Sequence, residues 1–205
     1  MGTDKVGAQA VEFWSSICEE ERTRSEEGRP NKTYINMYFE ALVDMLLESI
    51  TRLNFEEDED DEEWGVSASS GCCLRLLAQY AKDAVVDKVL AFVSTNIVAQ
   101  EWNNKHVALV SLGAILDGPS KGKLAELLKP GLKTALLPCF DYSSARIRET
   151  AAWVFSQIAE FLHEILVTED LPECLQKFVT GLQDKPQIAN YNCAIFAELA
   201  KALEP

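Results

Sequence analysis

The stretch Val154-Phe155-Ser156-Gln157-Ile158 places a large apolar residue three positions before an aliphatic one, and four other segments of the chain do the same. These segments are Phe13-Trp14-Ser15-Ser16-Ile17, Cys73-Leu74-Arg75-Leu76-Leu77, Ser111-Leu112-Gly113-Ala114-Ile115 and Ile195-Phe196-Ala197-Glu198-Leu199. The final residues of the five segments are separated by 60, 38, 43 and 41 positions. The pattern therefore indicates an internal structural repeat.

Apolar residues between these segments return at spacings of three and four, which predicts helices, and strand signals are nearly absent. One stripe comprises Ile35, Phe39, Leu42, Leu46, Ile50 and Leu53, and similar stripes run through residues 86–97 and 171–182. An apolar stripe along one side of a helix must be covered by another helix. Each repeat is thus predicted to contain a first helix rich in Leu, Val and Phe and a second helix rich in Ala, Ser, Gly and Cys.

Three of the four intervals match the roughly 40 to 47 residues of a HEAT or armadillo helix pair. We therefore predict an all-α fold, a right-handed α-solenoid of HEAT repeats with about four helix pairs after a leading single helix. Because small residues allow close approach, the second helices are expected to form the inner layer. Residues 1–205 are expected to form one array, and the absence of polar terminal repeats predicts a fragment of a longer solenoid. Pro130 and Pro138 predict a late start and a kink in one first helix.

The long interval contains a run in which every residue between Phe55 and Trp64 is acidic. The run consists of Glu56, Glu57, Asp58, Glu59, Asp60, Asp61, Glu62 and Glu63, and it carries more than half of the net charge of −14. Because eight like charges repel one another and are costly to desolvate, we predict a solvated loop at 56–63, inserted in one repeat. Such a loop is either a solubilising device or an electrostatic contact for a basic partner.

Several classes of function are disfavoured by composition. The chain lacks the basic patches that hold nucleic acid, and its apolar runs are broken by charges before they reach the length of a membrane span. The six cysteines, which include the adjacent pair Cys72 and Cys73, are typical of reduced, buried thiols. With only His106 and His163 as imidazole donors and no CxxC motif, a structural zinc site is disfavoured.

Residues 118–123, Gly-Pro-Ser-Lys-Gly-Lys, resemble a phosphate-binding loop only superficially. The loop is one residue short between its glycines, and Leu124 stands where Ser or Thr would bind magnesium. We interpret it as a turn between repeats. No credible catalytic group can be assembled from the two histidines, so we predict that the chain is not an enzyme and needs no cofactor or metal.

Several strings occur in the same order and at similar separations as in the importin-β family, across nearly the whole chain. They are Val11–Ser15 followed by Cys18–Glu21, the acidic run closed by Trp64, Ile115–Pro119, and Ile147-Arg148-Glu149-Thr150-Ala151-Ala152-Trp153. The chain resembles the middle of the amino-terminal half of importin-β. The resemblance implies a nuclear import receptor that binds the basic segment of an importin-α adaptor, or basic cargo, and releases it to the GTPase Ran.

The resemblance also implies roles for individual residues. Glu56–Glu63 and Trp64 would contact Ran and the basic adaptor segment, and Trp153 would face the concave cargo surface. Ala194 follows an Asn-x-Cys string at a position where the family has a second tryptophan. Glu149 lies on a second helix and is expected to face the basic ligand. Nucleoporin pockets of the family lie mostly in repeats that precede this region, and the expected locations are cytoplasm, nucleus and nuclear pore.

Plainer interpretations stay open at this point. The acidic run could only solubilise the chain, and Trp64 could pack against its own helix pair. A HEAT scaffold of a phosphatase or another assembly would share the fold, and an acidic chaperone for basic proteins would share the acidic run. A scaffold should not distinguish Ran-GTP from Ran-GDP, whereas a chaperone should be indifferent to Trp153→Ala.

Overall fold

The computed structural model describes residues 2–52, 66–168 and 170–204, and no strand occurs within these ranges. The α-helices are α1 (Gly2–Glu26), α2 (Tyr34–Ile50), α3 (Val66–Ala81), α4 (Val86–Ile97), α5 (Trp102–Ala114), α6 (Lys121–Gly131), α7 (Ala145–Leu162), α8 (Leu171–Gly181) and α9 (Pro186–Leu203). Short 3-10 turns precede α4 and follow α7.

The helices form two layers. In one layer, which we call the odd-helix layer, α1 packs on α3, α3 on α5, α5 on α7, and α7 on α9. Each even-numbered helix packs against the odd-numbered helix that follows it. This confirms the predicted all-α solenoid, in which the pairs α2/α3, α4/α5, α6/α7 and α8/α9 follow the single helix α1.

The repeated apolar positions form the core between the layers. Leu74 and Leu77 of α3 are fully buried, and so are their counterparts, Leu112 of α5 with Ile115 directly after that helix, and Phe155 and Ile158 of α7. Phe155 also packs edge-on against Phe140 and Phe178, with ring centroids 5.2 and 5.5 Å apart. Burial of each such side chain contributes about 1.5 to 3 kcal/mol, so the repeat pattern marks the residues that hold the layers together.

The start of α6 does not follow the prediction from its prolines. The helix begins at Lys121, directly after Ser120, because Asp83 in the 3-10 turn between α3 and α4 accepts hydrogen bonds from the Ser120 N–H (2.6 Å) and hydroxyl (2.8 Å). The predicted late start is therefore wrong. The distortion lies at the other end, where Pro130 falls in the last turn and is followed by a π-helical segment at Leu132–Leu136 and a 3-10 segment at Leu137–Asp141. Pro130 cannot donate the regular backbone hydrogen bond, which accounts for the change of helix type.

Lysines connect successive even-numbered helices on their solvent side. Lys88 of α4 reaches Glu40 (2.6 Å) and Asp44 (3.0 Å) of α2. Lys123 of α6 reaches Asp87 of α4 at 2.9 Å. Exposed pairs of this kind contribute only about 0 to 1 kcal/mol each, so they fix the register of the layer more than its stability.

The cysteines are all free. Four of them are buried as predicted, whereas Cys72 and Cys193 are exposed, which corrects the prediction for these two. Both side chains lie on the side of the odd-helix layer that does not face the core, a position that composition alone cannot reveal.

Candidate partner-binding surface

The acidic run, Glu56–Glu63, and Trp64 lie outside the described residues. The described chain stops at Arg52, two residues after the end of α2, and resumes at Val66, the first residue of α3. The run thus connects the two helices of one pair. Its contact with Ran or a basic segment stays a prediction.

One position repeats along the odd-helix layer on the side away from the core. It is the residue that directly precedes each repeated apolar segment, namely Glu12, Cys72, Val110, Trp153 and Ala194. Each of these five residues is exposed or half-buried, although the layer itself is tightly packed. We call these five residues the open-face row.

The side chain of Trp153, one residue of this row, packs against the neighbouring helix α5. Its indole lies against α5 at Gly113, where a Cβ atom would come within 2.2 Å of Cζ3 and 2.4 Å of Cη2. The side chain is half-buried, so part of the ring is accessible to a ligand. Trp153 therefore combines a packed ring with an accessible part, the arrangement that an aromatic contact residue needs.

Carboxylates lie above and below Trp153 on the same side of α7. Glu149 is one helical turn before it and is half-buried, and Glu160 is two turns after it and is exposed. Gln157 lies between Trp153 and Glu160 and is 3.5 Å from the Glu160 carboxylate. A cationic side chain that reached the indole would thus meet acidic groups on both sides.

A half-buried histidine joins α5 to α7 one turn from Trp153. Nδ1 of His106 lies 3.0 Å from the Thr150 hydroxyl, which itself donates to the Arg146 carbonyl at 2.8 Å. Because the hydroxyl proton is used in that bond, we assign Nδ1–H of His106 as the donor to Thr150. Burial lowers the pKa of His106 to about 4, with a further contribution from the positive charge of Arg146. The imidazole is therefore neutral at physiological pH.

We expect acid to destabilise the contact between α5 and α7 through His106. The pKa in the folded chain is about 4 and in the unfolded chain about 6.5, so the unfolded state gains a proton first as the pH falls. Protonation of His106 therefore does not affect the free energy of unfolding above pH 6.5. Between pH 6.5 and 4 it lowers the free energy of unfolding, by about 2 kcal/mol at pH 5. Urea unfolding of the parent and of His106→Gln at pH 7.5 and pH 5 should show a smaller drop in the variant.

The matched control for this experiment is His163→Gln, because His163 is partly exposed and lies 3.9 Å from the carboxylate of its neighbour Glu164. It should retain the parental drop between pH 7.5 and pH 5. An equal drop in the parent and in His106→Gln would contradict the assignment of the acid sensitivity to His106.

Small-molecule and metal sites find no support within the described ranges. Two clefts in these ranges hold only about 30 and 120 Å³, whereas ligand pockets typically hold about 300 to 1,000 Å³. No group of three or more His, Cys, Asp or Glu residues in the described part of the chain could hold a metal ion. No helix of that part is long and apolar enough to cross a bilayer.

Known proteins resemble this chain along nearly its whole length, although no family model matches it. Importin subunit beta-1 of Saccharomyces cerevisiae is 36% identical over 200 residues, which cover 93% of this chain and 23% of the relative. A structure of Kap95p, described as inducing the switch loops of RanGDP to adopt the GTP-bound conformation, superimposes with a TM-score of 0.91 at 33% identity. That superposition covers 99% of this chain and 24% of the other.

The Kap95:Nup1 complex also contains a similar chain, with a TM-score of 0.90 and 34% identity over 98% of this chain and 24% of the other. This chain therefore spans about a quarter of the length of the proteins it matches. The structural similarity agrees with the predicted HEAT-repeat solenoid.

Proposed function

The chain belongs to the importin-β family, and on that premise we propose that it is part of a nuclear import receptor that binds Ran and a basic import segment. The basic segment would come from an importin-α adaptor or directly from cargo. The observation that carries this proposal is the similarity to Importin subunit beta-1 over 93% of the chain. A receptor of this kind works in both cytoplasm and nucleus, and it meets nucleoporins in the pore.

The proposed binding surface has an electrostatic part and an aromatic part. The eight carboxylates of the acidic run raise the rate of encounter with a Lys/Arg-rich segment, within roughly one Debye length of about 8 Å at physiological salt. Trp153 then packs against the aliphatic stem and the cationic head of a Lys or Arg side chain, which is worth roughly 0.5 to 2 kcal/mol. Several modest contacts along the open-face row add up to useful affinity.

Two neighbouring positions of the open-face row differ in what they offer to such a ligand. Trp153 of α7 provides a large aromatic ring beside Glu149 and Glu160. Ala194 of α9 is exposed and provides only a methyl group. The basic segment should therefore gain most of its contact energy at α7 and little at α9.

Neutralising the acidic run should weaken binding of a basic adaptor peptide and of Ran-GTP, because the run supplies most of the excess negative charge. With all eight residues changed to Gln or Asn, we expect roughly tenfold weaker binding at low salt and a flatter dependence of affinity on salt concentration. Calorimetric titrations of the parent and the variant over a series of NaCl concentrations measure both quantities.

A matched control separates local charge from net charge. One variant neutralises Glu56, Glu57, Asp58 and Glu59, and the control neutralises the exposed residues Glu19, Glu126, Glu164 and Glu204. Both change the net charge equally, and only the first should flatten the salt dependence. Equal affinities and equal salt slopes for the parent and the eight-residue variant would contradict the proposal.

A pull-down with Ran-GTP, Ran-GDP, a basic adaptor peptide and a histone separates the proposed receptor from its rivals. The receptor should prefer Ran-GTP to Ran-GDP and should lose peptide binding on Trp153→Ala. A scaffold would show no nucleotide preference, and an acidic chaperone would retain histone binding in Trp153→Ala.

A further inference from the structure

Gly113 leaves open the space in which the indole of Trp153 lies. A Cβ atom on Gly113 would meet Cζ3 at 2.2 Å, Cη2 at 2.4 Å and Cε3 at 3.0 Å, all on the six-membered ring of the indole. Contacts below 3.0 Å do not occur in real packing, so any side chain at position 113 must displace the ring. The ring thus rests directly on the backbone of α5.

No feature of the backbone itself explains glycine at this position. Gly113 lies within the last turn of α5, and it is not among the glycines with positive φ, which in the described ranges are Gly28 and Gly118. Glycine in a helix costs about 1 kcal/mol relative to alanine, because it loses more conformational freedom on folding. We therefore attribute the glycine to packing, because the absence of a side chain leaves space for the indole of Trp153.

The two helices cannot simply move apart to accept a larger residue. Below Trp153, Thr150 of α7 is tied to His106 of α5 by the 3.0 Å contact. On the core side, Ala152 and Phe155 of α7 are fully buried. The part of Trp153 that can move is its side chain, which is accessible on the open face.

We propose that Gly113 is a positioning residue for Trp153: it seats the indole on α5 and thereby sets the orientation in which the ring meets a cationic side chain of the ligand. The inference rests on the proposed binding of a basic segment for its functional part. Its structural part, the seating of the ring, stands on the contact between α5 and α7 alone.

The test compares the parent chain with Gly113→Ala, Trp153→Ala and the double variant, each labelled with 5-fluorotryptophan. The fluorine resonance of Trp153 is identified by its loss in Trp153→Ala. We expect Gly113→Ala to shift this resonance and to weaken binding of a Lys/Arg-rich peptide by roughly 2- to 30-fold. In the Trp153→Ala background, Gly113→Ala should cause no further loss of affinity, because the residue acts through the ring.

Gly71→Ala is the control for the resonance, because Gly71 lies in the same layer on α3 and its Cβ would approach Val110, at 3.3 Å, and not Trp153. It should leave the Trp153 resonance unchanged. Gly122→Ala on α6, where a Cβ meets nothing within 4 Å, is the control for binding and should leave the peptide affinity unchanged. If Gly113→Ala folds poorly, its unfolding midpoint provides the test. Adding Trp153→Ala should then raise the midpoint of the double variant, because the indole that clashes with the new methyl group at position 113 has been removed.

The possible outcomes distinguish the role of Gly113 from the proposed function of the chain. An unchanged Trp153 resonance, or an equal loss of affinity from Gly113→Ala with and without Trp153, overturns the role of Gly113. A parent chain that does not bind the peptide overturns the proposed function instead, and the resonance and the unfolding midpoints still decide whether Gly113 seats the ring.

Discussion

Gly118→Ala is expected to lower the free energy of unfolding by about 4 kcal/mol. Gly118 follows α5 and has φ +135°, a conformation that side-chain-bearing residues rarely adopt. In addition, its Cβ would come within 2.5 Å of the Ala78 carbonyl oxygen and 2.8 Å of the Gln79 Cα, which belong to the backbone of α3. Strain and overpacking each cost roughly 1 to 3 kcal/mol, and neither can be relieved by turning a flexible side chain.

This glycine brings the turn after α5 onto the end of α3. At the same place Gln79 donates a hydrogen bond to Asp117 at 2.6 Å, so the turn sets the spacing of two helices of the odd-helix layer. A distortion here should therefore also change the binding of a basic peptide along the open-face row. Urea unfolding followed by circular dichroism measures the loss of stability, and calorimetry measures the change in binding.

Gly122→Ala provides the comparison, because Gly122 lies in α6 and a Cβ there meets nothing within 4 Å. That substitution should stabilise the chain by roughly 0.5 to 1 kcal/mol through the better helix propensity of alanine. A Gly118→Ala variant as stable as the parent would show that the turn after α5 can move away from α3 without loss.

The helices and their core could be predicted from the sequence because the information is local. Leu74, Leu112 and Phe155 occupy equivalent positions in three repeats, and each is fully buried. A residue of this kind must lie on the covered side of its helix whatever partner helix covers it. The same local logic predicted a turn at residues 118–123, of which residues 118–120 do lie between α5 and α6, whereas residues 121–123 form the first turn of α6.

The contacts at the candidate surface could not be predicted as well, because they join residues that are far apart in the sequence. Gly113 meets Trp153 forty positions later, and His106 meets Thr150 across the same interface. The sequence signal was limited to a glycine inside a helix rich in small residues, which indicates close approach and not the partner. The sequence offers His106 no partner for a metal site or a catalytic group, and its contact with Thr150 depends on the fold.

Glu21→Ala is expected to lower the free energy of unfolding by about 3 kcal/mol. Glu21 of α1 is only 3% exposed, and its carboxylate accepts hydrogen bonds from the backbone N–H groups of Tyr34 (2.7 Å) and Ile35 (3.3 Å). These are the first N–H groups of α2, which no carbonyl of the helix can satisfy. Thr33, the residue before the helix, has φ 61° and makes no side-chain capping bond, so Glu21 supplies the cap from another helix.

Substitution of the neighbouring residue, Glu20, provides the control that separates the loss of this cap from a general loss of negative charge. Glu20 is exposed and pairs only with Arg24 on its own helix, at 2.6 Å, so Glu20→Ala should change stability by no more than about 0.5 kcal/mol. Hydrogen exchange gives the decisive measurement, because Glu21→Ala should speed exchange at Tyr34 and Ile35 while Glu20→Ala should not. Unchanged exchange at both amides would mean that water caps α2 as well as Glu21 does.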